Sequence, residues 1–354
     1  MPAQVVAIRF PLRRMLMNVM AFSIGLGAIS GAVIARSEDL KQASPASAPV
    51  TPALSERPLA GIAQITIRVS DLRRAASYYE GVLGFHHAFD VGEGGQHSSY
   101  YKVNDSQFLE LVPSLKPGEI DRQARIVFET SDIEELRGKF AALDAAPGAI
   151  RREADGNRVF QIVAPNGFPF DFKQYDPGSR QVRLRGRLLG KGRIATHLIH
   201  AGTLVTDEAT RAFLKRLGLT GVVFGERRDY LETPETDRNL ETKNPPLDPD
   251  NPATRAQYLR ELHGATNHFA LEVADMHAVR EELKRRGGYD DVRLRTAVGN
   301  NRHWLIHLFD PDGSRTEFMS RDVVADDVPS FSVMPPGPPA PPIRATQKGV
   351  YPWP

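Results

Sequence analysis

Four segments of the chain repeat one order of hydrophobic and polar positions. Each segment opens with a short apolar, β-rich run that ends at an aspartate, and the four aspartates are Asp71, Asp132, Asp207 and Asp275. After each aspartate the apolar residues recur every three or four positions, which predicts an amphipathic helix with an aspartate N-cap. Later in each segment a second β-rich run carries an acid. The repetition predicts four β-α-β-rich units.

The units also repeat particular side chains at their opening and closing strands. The opening residues are Gln64, Arg125, His200 and His268, and the acids of the closing strands are Glu110, Asp171, Glu232 and Glu317. Units two and four share a predicted turn before the closing strand, at 164–167 and 310–313. The third unit has the shortest separation between the two positions, and the Pro- and Asp-rich stretch 233–264 after it is predicted to be a long loop.

This arrangement resembles the vicinal oxygen chelate superfamily, which includes glyoxalase I, fosfomycin- and bleomycin-resistance proteins and extradiol dioxygenases. The resemblance covers residues 61–320. It implies an α+β fold in which four βαβββ units pair into two cupped, mixed β-sheet domains, at 61–178 and 195–320. In this family the metal ligands lie on the first and last strands of each unit, which are the positions of the residues above.

For the second pair of units the resemblance implies one metal site, with His200, Glu232, His268 and Glu317 as ligands. Imidazole and carboxylate groups suit a divalent Fe, Zn, Mn or Ni ion. The two histidines and Glu317 resemble the ligands of extradiol dioxygenases, and Glu232 would complete a His-Glu-His-Glu set similar to that of glyoxalase I. Each histidine taken alone has a packed core residue as its alternative role. For Glu232 the alternative is a surface acid, because its unit is short.

The first pair of units departs from this pattern at Arg125, which stands where a histidine is expected. A guanidinium is always protonated and cannot ligate a cation. We therefore predict that Arg125 points into the first cup and pairs with Glu110, Asp171 or both. The first cup is expected to be a degenerate, structural copy of the site.

Several further residues are candidates for chemistry near the second cup. A metal-bound glutamate acts as the base in glyoxalase-like relatives, and the resemblance gives this role to Glu317 or Glu232. Alternation along residues 302–308 places His303, Leu305 and His307 on one strand face, so His307 is a candidate acid or base and Arg302 a candidate substrate clamp. The alternative is that both are ordinary strand residues. Tyr230 either contacts substrate or packs in the core.

The resemblance favours glyoxalase-like lyase or isomerase chemistry on a small substrate that binds the metal through neighbouring oxygens. A ring-cleaving Fe(II) dioxygenase is one alternative. The resemblance would then require a tyrosine ten residues before Glu317, where His307 stands, and an upstream histidine that 250–258 lacks. A non-catalytic, resistance-type binder of small molecules is the other alternative. His197, three residues before His200, is expected on the opposite strand face.

The N-terminus is predicted to direct export. Residues 15–35 form an uncharged run after Arg9, Arg13 and Arg14, which indicates a signal peptide or membrane anchor at 1–35. Arg13-Arg14 resembles a twin-arginine signal, and a Sec signal or an uncleaved anchor is the alternative. The protein is thus expected outside the cytoplasm, in contact with a membrane only through this segment if it stays uncleaved.

The composition limits the classes of partner and indicates what the remaining segments form. The chain has 354 residues, no cysteine and a formal charge of +2, which excludes disulfides and thiolate chemistry and argues against nucleic acid as a partner. A small molecule is the expected partner. Residues 36–60, rich in Ala, Pro and Ser, are predicted to be a flexible linker, and 321–354 a Pro-rich tail.

Overall fold

The computed structural model describes residues 59–93, 97–119, 122–202, 208–223, 228–232, 240–243, 251–253, 268–299, 301–325 and 327–335, with the backbone alone for 220–223, 228–232 and 242–243. The predicted export segment, most of the linker, Asp207 and the end of the Pro-rich tail lie outside these residues. Among the helices of the described ranges, none has the length and apolar character that crossing a membrane requires.

The first module is one eight-stranded sheet in which the strand order is β2-β3-β4-β1-β5-β8-β7-β6. Its strands are β1 (Leu59–Arg68), β2 (His86–Val91), β3 (Ser98–Lys102), β4 (Phe108–Val112), β5 (Gln123–Thr130), β6 (Arg151–Arg152), β7 (Arg158–Val163) and β8 (Pro169–Gln174). Helices α1 (Leu72–Tyr79) and α2 (Ile133–Ala142) follow the opening strands β1 and β5, and α3 (Arg180–Arg183) lies in the connection to the second module.

The second module repeats this order as β10-β11-β12-β9-β13-β16-β15-β14. Its strands are β9 (His197–Gly202), β10 (Thr220–Val223), β11 (Arg228–Glu232), β12 (Leu240–Lys243), β13 (His268–Val273), β14 (Ala297–Val298), β15 (His303–Phe309) and β16 (Arg315–Val323). Helices α4 (Glu208–Arg216) and α5 (Met276–Gly287) follow β9 and β13. The four βαβββ units and the α+β class predicted from the sequence are confirmed.

The helices begin where the aspartates predict. The carboxylates of Asp71 and Asp132 accept hydrogen bonds from the backbone N–H of the third residue of α1 and of α2, and Asp275 accepts two such bonds in the first turn of α5. Each carboxylate satisfies backbone donors that a helix start leaves without intrahelical partners. Helix α5 ends at Gly287 and is capped by Gly288, whose φ of +63° suits a residue without a Cβ.

In each module one sheet face packs against its helices and the other lines a cup. Large aromatic side chains fill the packed face of the first module, including Phe128, Phe140, Phe160 and Phe172, all at most 2% exposed. Residues of the other face alternate with these along each strand, as the pleat of a strand requires. The cup faces therefore carry the polar positions that the sequence repeats.

The predicted turns before the closing strands connect the two modules. In the turn 164–167 the N–H of Asn166 donates to Thr210 Oγ1 of α4 at 3.0 Å. In the turn 310–313, Asp310 accepts a hydrogen bond from Tyr79 of α1 at 3.1 Å and Asp312 accepts one from Ser70 Oγ at 2.6 Å. Each module thus inserts the same turn against a helix of the other.

The sheet of the second module extends beyond the predicted domain boundary. Strand β16 ends at Val323, and Val333 forms an antiparallel bridge to Ala297 of β14. Met334 is 4% exposed and its N–H donates to the carbonyl of Thr296. The start of the predicted Pro-rich tail is therefore packed on the module.

Candidate metal centre

Strand register brings four residues of the second cup together. His200 lies opposite Ala270 across the antiparallel pair β9 and β13, and Ala270 lies beside Glu317 on β16. His268 lies opposite Gly202, which in turn lies beside Glu241 on β12. The cup thus places two imidazoles and two carboxylates on four adjacent strands.

The ligand atoms of these four residues converge on one point. The Nε2 atoms of His200 and His268 are 3.1 Å apart, and Oε2 of Glu241 lies 3.0 Å from His268 Nε2 and 3.6 Å from His200 Nε2. The carboxylate oxygens of Glu317 lie 3.6 Å from His200 Nε2 and 3.7 Å from His268 Nε2. Ligand atoms about 2.0–2.2 Å from a divalent ion are separated by such distances.

Burial and charge set the protonation states of His268 and Glu317 among these groups. All four residues are at most 3% exposed. Burial and then the charge of Arg315 lower the pKa of His268, so its imidazole is neutral. Burial would raise the pKa of Glu317, but a hydrogen bond from His307 holds it below its usual value. Neutral imidazole and ionised carboxylate are the ligand forms of both residue types.

The fourth residue differs from the one that the sequence analysis chose. The strand beside β9 is β12, which carries Glu241, whereas Glu232 ends β11, one strand further out. The strand assignment on which the Glu232 prediction rested is therefore corrected, and the side chains of Glu232 and Tyr230 lie outside the described part of the structure. The signal for Glu241 was its separation of 41 residues from His200, closer to the 46 of the first unit than the 32 of Glu232.

His307 lies beside the four converging side chains of the second cup, whereas Arg302 lies away from them. His307 pairs in register with Glu317, and its Nε2 lies 2.8 Å from Glu317 Oε2 while 40% of its side chain stays exposed. The guanidinium of Arg302 instead donates to the backbone carbonyls of Val328 and Ala325. Arg302 thus holds the segment after β16, and the structure does not bring it to the four converging side chains.

The expectation for His197 was wrong, because β9 contains a bulge. The register against β13 shifts between His200 and Leu198, so the simple alternation of faces does not extend across this point. His197 Nδ1 lies 3.6 Å from Glu272, a residue of the same β13 face as His268. Ile199, Ala270, Met319 and Leu305 form a small apolar cluster between these two polar ends of the cup.

In the first cup a buried ion network occupies the corresponding positions. Arg125 donates to Glu110 at 2.8 Å and to Asp171 at 2.9 Å, which confirms the predicted pairing. The same guanidinium contacts Glu153 at 3.1 Å, and the ammonium of Lys173, which is fully buried, lies 2.8 Å from Glu153. Although burial opposes it, the charge of Arg125 holds the pKa of Glu110 below its usual value.

The comparisons with known proteins agree with this architecture. The model of the Glyoxalase/Bleomycin resistance protein/Dioxygenase superfamily matches residues 61–172. These residues belong to that superfamily. No curated protein matches the chain in sequence.

Solved structures of the same fold cover most of the chain. An extradiol ring-cleaving dioxygenase from Brevibacterium fuscum has 17% identity and a TM-score of 0.55 over 80% of this chain and 77% of that one. A Mn(II)-bound glyoxalase from Novosphingobium aromaticivorans has 15% identity and a TM-score of 0.54 over 78% of this chain and 87% of that one. At such identities the likeness shows the fold alone, over most of this chain.

The residues of the second cup fit a divalent metal ion. His200, Glu241 and His268 each offer one ligand atom within 4.8 Å of the others, and all three are buried. Glu317 adds a second carboxylate, whose oxygens lie 3.6 Å from His200 Nε2 and 3.7 Å from His268 Nε2. Two neutral imidazoles and two carboxylates suit a first-row divalent ion.

Proposed function

We propose that this protein is an exported, metal-dependent enzyme of the superfamily that performs glyoxalase-like lyase or isomerase chemistry. The substrate would be a small molecule that binds the metal through two neighbouring oxygens. The observation that carries the proposal is Glu241, because it completes a His-Glu-His-Glu set with His200, His268 and Glu317. When bound, a divalent ion would act as a Lewis acid and stabilise negative charge on the substrate oxygens.

Glu317 and His307 are the proposed proton-transferring residues. Glu317 is held as a carboxylate, so one of its oxygens is able to accept a substrate proton. His307 contacts the same carboxylate at 2.8 Å and is 40% exposed, so it connects Glu317 with solvent. A proton taken up at Glu317 would pass to Nε2 of His307 in its Nδ1–H tautomer, while Nδ1 releases its own proton to solvent.

A ring-cleaving Fe(II) dioxygenase is the second candidate function. The subset His200, His268 and Glu317 is the two-histidine, one-carboxylate set that leaves open positions on Fe(II), and homoprotocatechuate 2,3-dioxygenase from Brevibacterium fuscum shares the fold. Glu241 argues against it, because a fourth protein ligand would occupy one of those positions. A resistance-type binder would need no proton transfer and gives no role to the contact of Glu317 with His307.

Export also bears on the substrate. The predicted signal at 1–35 would place the protein outside the cytoplasm, where thiol adducts of the kind that glyoxalase I uses are scarce. We therefore propose a substrate without a thiol component, such as a small hydroxy-carbonyl compound.

The experiment compares two glutamates that lie one strand apart. Metal-free wild type, Glu241→Gln and Glu232→Gln are titrated with Mn²⁺, Zn²⁺, Ni²⁺ and, without oxygen, Fe²⁺ by calorimetry. We expect one metal per chain and about 100-fold weaker binding in Glu241→Gln alone. Equal binding by wild type and Glu241→Gln would contradict the four-ligand site, and oxygen uptake by the Fe²⁺ form with catechols would favour the dioxygenase.

A further inference from the structure

Arg315 makes an unusual contact with the proposed ligand His268. The two residues lie side by side on the parallel strands β13 and β16, and Arg315 Nη2 lies 2.7 Å from His268 Nδ1. Because a guanidinium has no acceptor and is never deprotonated, it donates and Nδ1 accepts. A neutral imidazole that accepts at Nδ1 carries its proton on Nε2.

That tautomer is opposite to the one that a metal needs. In His268 the Nε2 atom faces Glu241, His200 and Glu317, so it is the atom that would bind an ion. Metal binding at Nε2 requires its lone pair, and the proton must then sit on Nδ1 and find an acceptor. Arg315 offers only donors at that position, and its charge also lies close to where the cation would bind.

We propose that Arg315 is a positioning residue that opposes metal binding, because it holds His268 in the tautomer with the proton on Nε2. This inference rests on the proposed metal site. An ion that enters the cup must displace the guanidinium from Nδ1. Arg315 therefore sets the affinity of the cup for divalent ions and its selectivity among them.

The structure also offers the Arg315 guanidinium an alternative hydrogen-bond acceptor. Arg315 and His268 line a cleft between the two modules together with Gln123 of β5. The side-chain oxygen of Gln123 is buried and accepts no hydrogen bond from the described residues, and Arg315 Nε likewise has no partner among them. Gln123 Oε1 is thus an acceptor for the displaced guanidinium, which would couple metal binding to a contact between the modules.

Three single variants test this role with the metal alone as the probe. Arg315→Gln removes the charge and supplies an oxygen that accepts from Nδ1–H, whereas Arg315→Lys keeps the charge. Arg321→Gln is the matched control, because Arg321 lies on the same face of β16 but pairs with Glu272 at 2.9 Å. We expect Arg315→Gln to bind Mn²⁺ and Zn²⁺ about 10-fold more tightly than wild type, and the other two variants to bind as wild type does.

The tautomer is measured directly on the wild type by ¹⁵N NMR of the His268 ring. We expect the proton on Nε2 in the metal-free protein and on Nδ1 after Zn²⁺ is added. A proton on Nδ1 in the metal-free protein, or equal affinities for wild type and Arg315→Gln, would overturn the role of Arg315 and leave the metal site standing. If neither wild type nor Arg315→Gln binds metal, the proposed function itself fails.

Discussion

The two cups share one strand order but carry different side chains at the corresponding positions. Strand register places Gln64, Glu110, Arg125 and Asp171 of the first cup at the positions of His200, Glu241, His268 and Glu317 of the second. In the first cup a guanidinium joins the two carboxylates. In the second cup two imidazoles face the two carboxylates, and none of these four groups is a permanent cation. Where the second cup has His268, the first has Arg125, whose guanidinium supplies a permanent cation in place of the proposed exchangeable one.

The neighbouring positions differ in the same direction. Register and hydrogen bonds place Thr66, Glu153 and Lys173 of the first cup at the positions of Gly202, Gly299 and Met319 of the second. Thr66 and Glu153 contact Arg125, and Lys173 contacts Glu153. The second cup therefore lacks the side chains that complete the ion network. The two cups thus differ in the side chains that surround the four central positions as well as in the residues at those positions.

The largest effect is expected when the first network is broken. Arg125→Met leaves Glu110 and Asp171 buried without their partner, and we expect the free energy of unfolding to fall by about 3–5 kcal/mol. Urea denaturation measures it. The control is Arg151→Met, because Arg151 is 47% exposed and 3.7 Å from Asp171, and there we expect a loss below about 1 kcal/mol. Equal losses in the two variants would refute the network.

A lysine placed in the second cup, at the position that Lys173 holds in the first, should weaken metal binding. Met319→Lys places an ammonium beside His200 and Glu317, at the position that Lys173 holds in the first cup. Because this charge repels a cation at close range, we expect Mn²⁺ to bind at least about 100-fold more weakly. Calorimetry measures the affinity, and Met319→Leu is the neutral control. Unchanged affinity in Met319→Lys would mean that the metal binds elsewhere.

A smaller effect is expected from Gly202. A Cβ at this position would lie 2.2 Å from His268 Nδ1, so the imidazole must shift. We expect Gly202→Ala to weaken Zn²⁺ binding about 10-fold, because the ring can no longer point Nε2 at the centre. Gly138→Ala is the control, since nothing lies within 4 Å of a Cβ there. Wild-type affinity in Gly202→Ala would show that the ring position is not limiting.

The smallest effect concerns the far end of the second cup. Burial, then the charges of Arg321 and Arg193, lowers the pKa of His197 to about 4. Between pH 6.5 and 4 the unfolded chain binds the proton more readily than the native protein, so stability falls as the pH is lowered through this window. We expect this loss of stability in the wild type and its absence in His197→Gln. An identical pH profile for that variant would contradict the assignment.

The sequence predicted the fold because each local signal agreed with the repeat. The aspartate caps, the helical periodicity and the turns before β8 and β16 recur in register, so each unit supports the reading of the others. His200, His268 and Glu317 followed from the same register. Arg125 was predicted to pair with carboxylates because it stands at the repeat position of a histidine ligand and a guanidinium cannot ligate a cation.

The remaining site residues depended on features that the sequence did not display. Leu-Glu-Thr occurs twice in the third unit, at 231–233 and 240–242, and only strand pairing decides which glutamate faces the cup. His197 was assigned to the wrong face because a bulge adds a residue to β9. The contact of Arg315 with His268 joins adjacent strands 47 residues apart. Such contacts depend on register, which local patterns do not define to the single residue.

The most direct test of the proposed metal site is to locate a bound ion in the protein. Metal-free protein is reconstituted with Mn²⁺ or Zn²⁺, its metal content per chain is measured, and the ion is located by anomalous diffraction, with His268→Ala in parallel. We expect one ion per chain among His200, Glu241, His268 and Glu317, and none in His268→Ala. An ion between Gln64 and Glu110, or full occupancy in His268→Ala, would contradict this expectation.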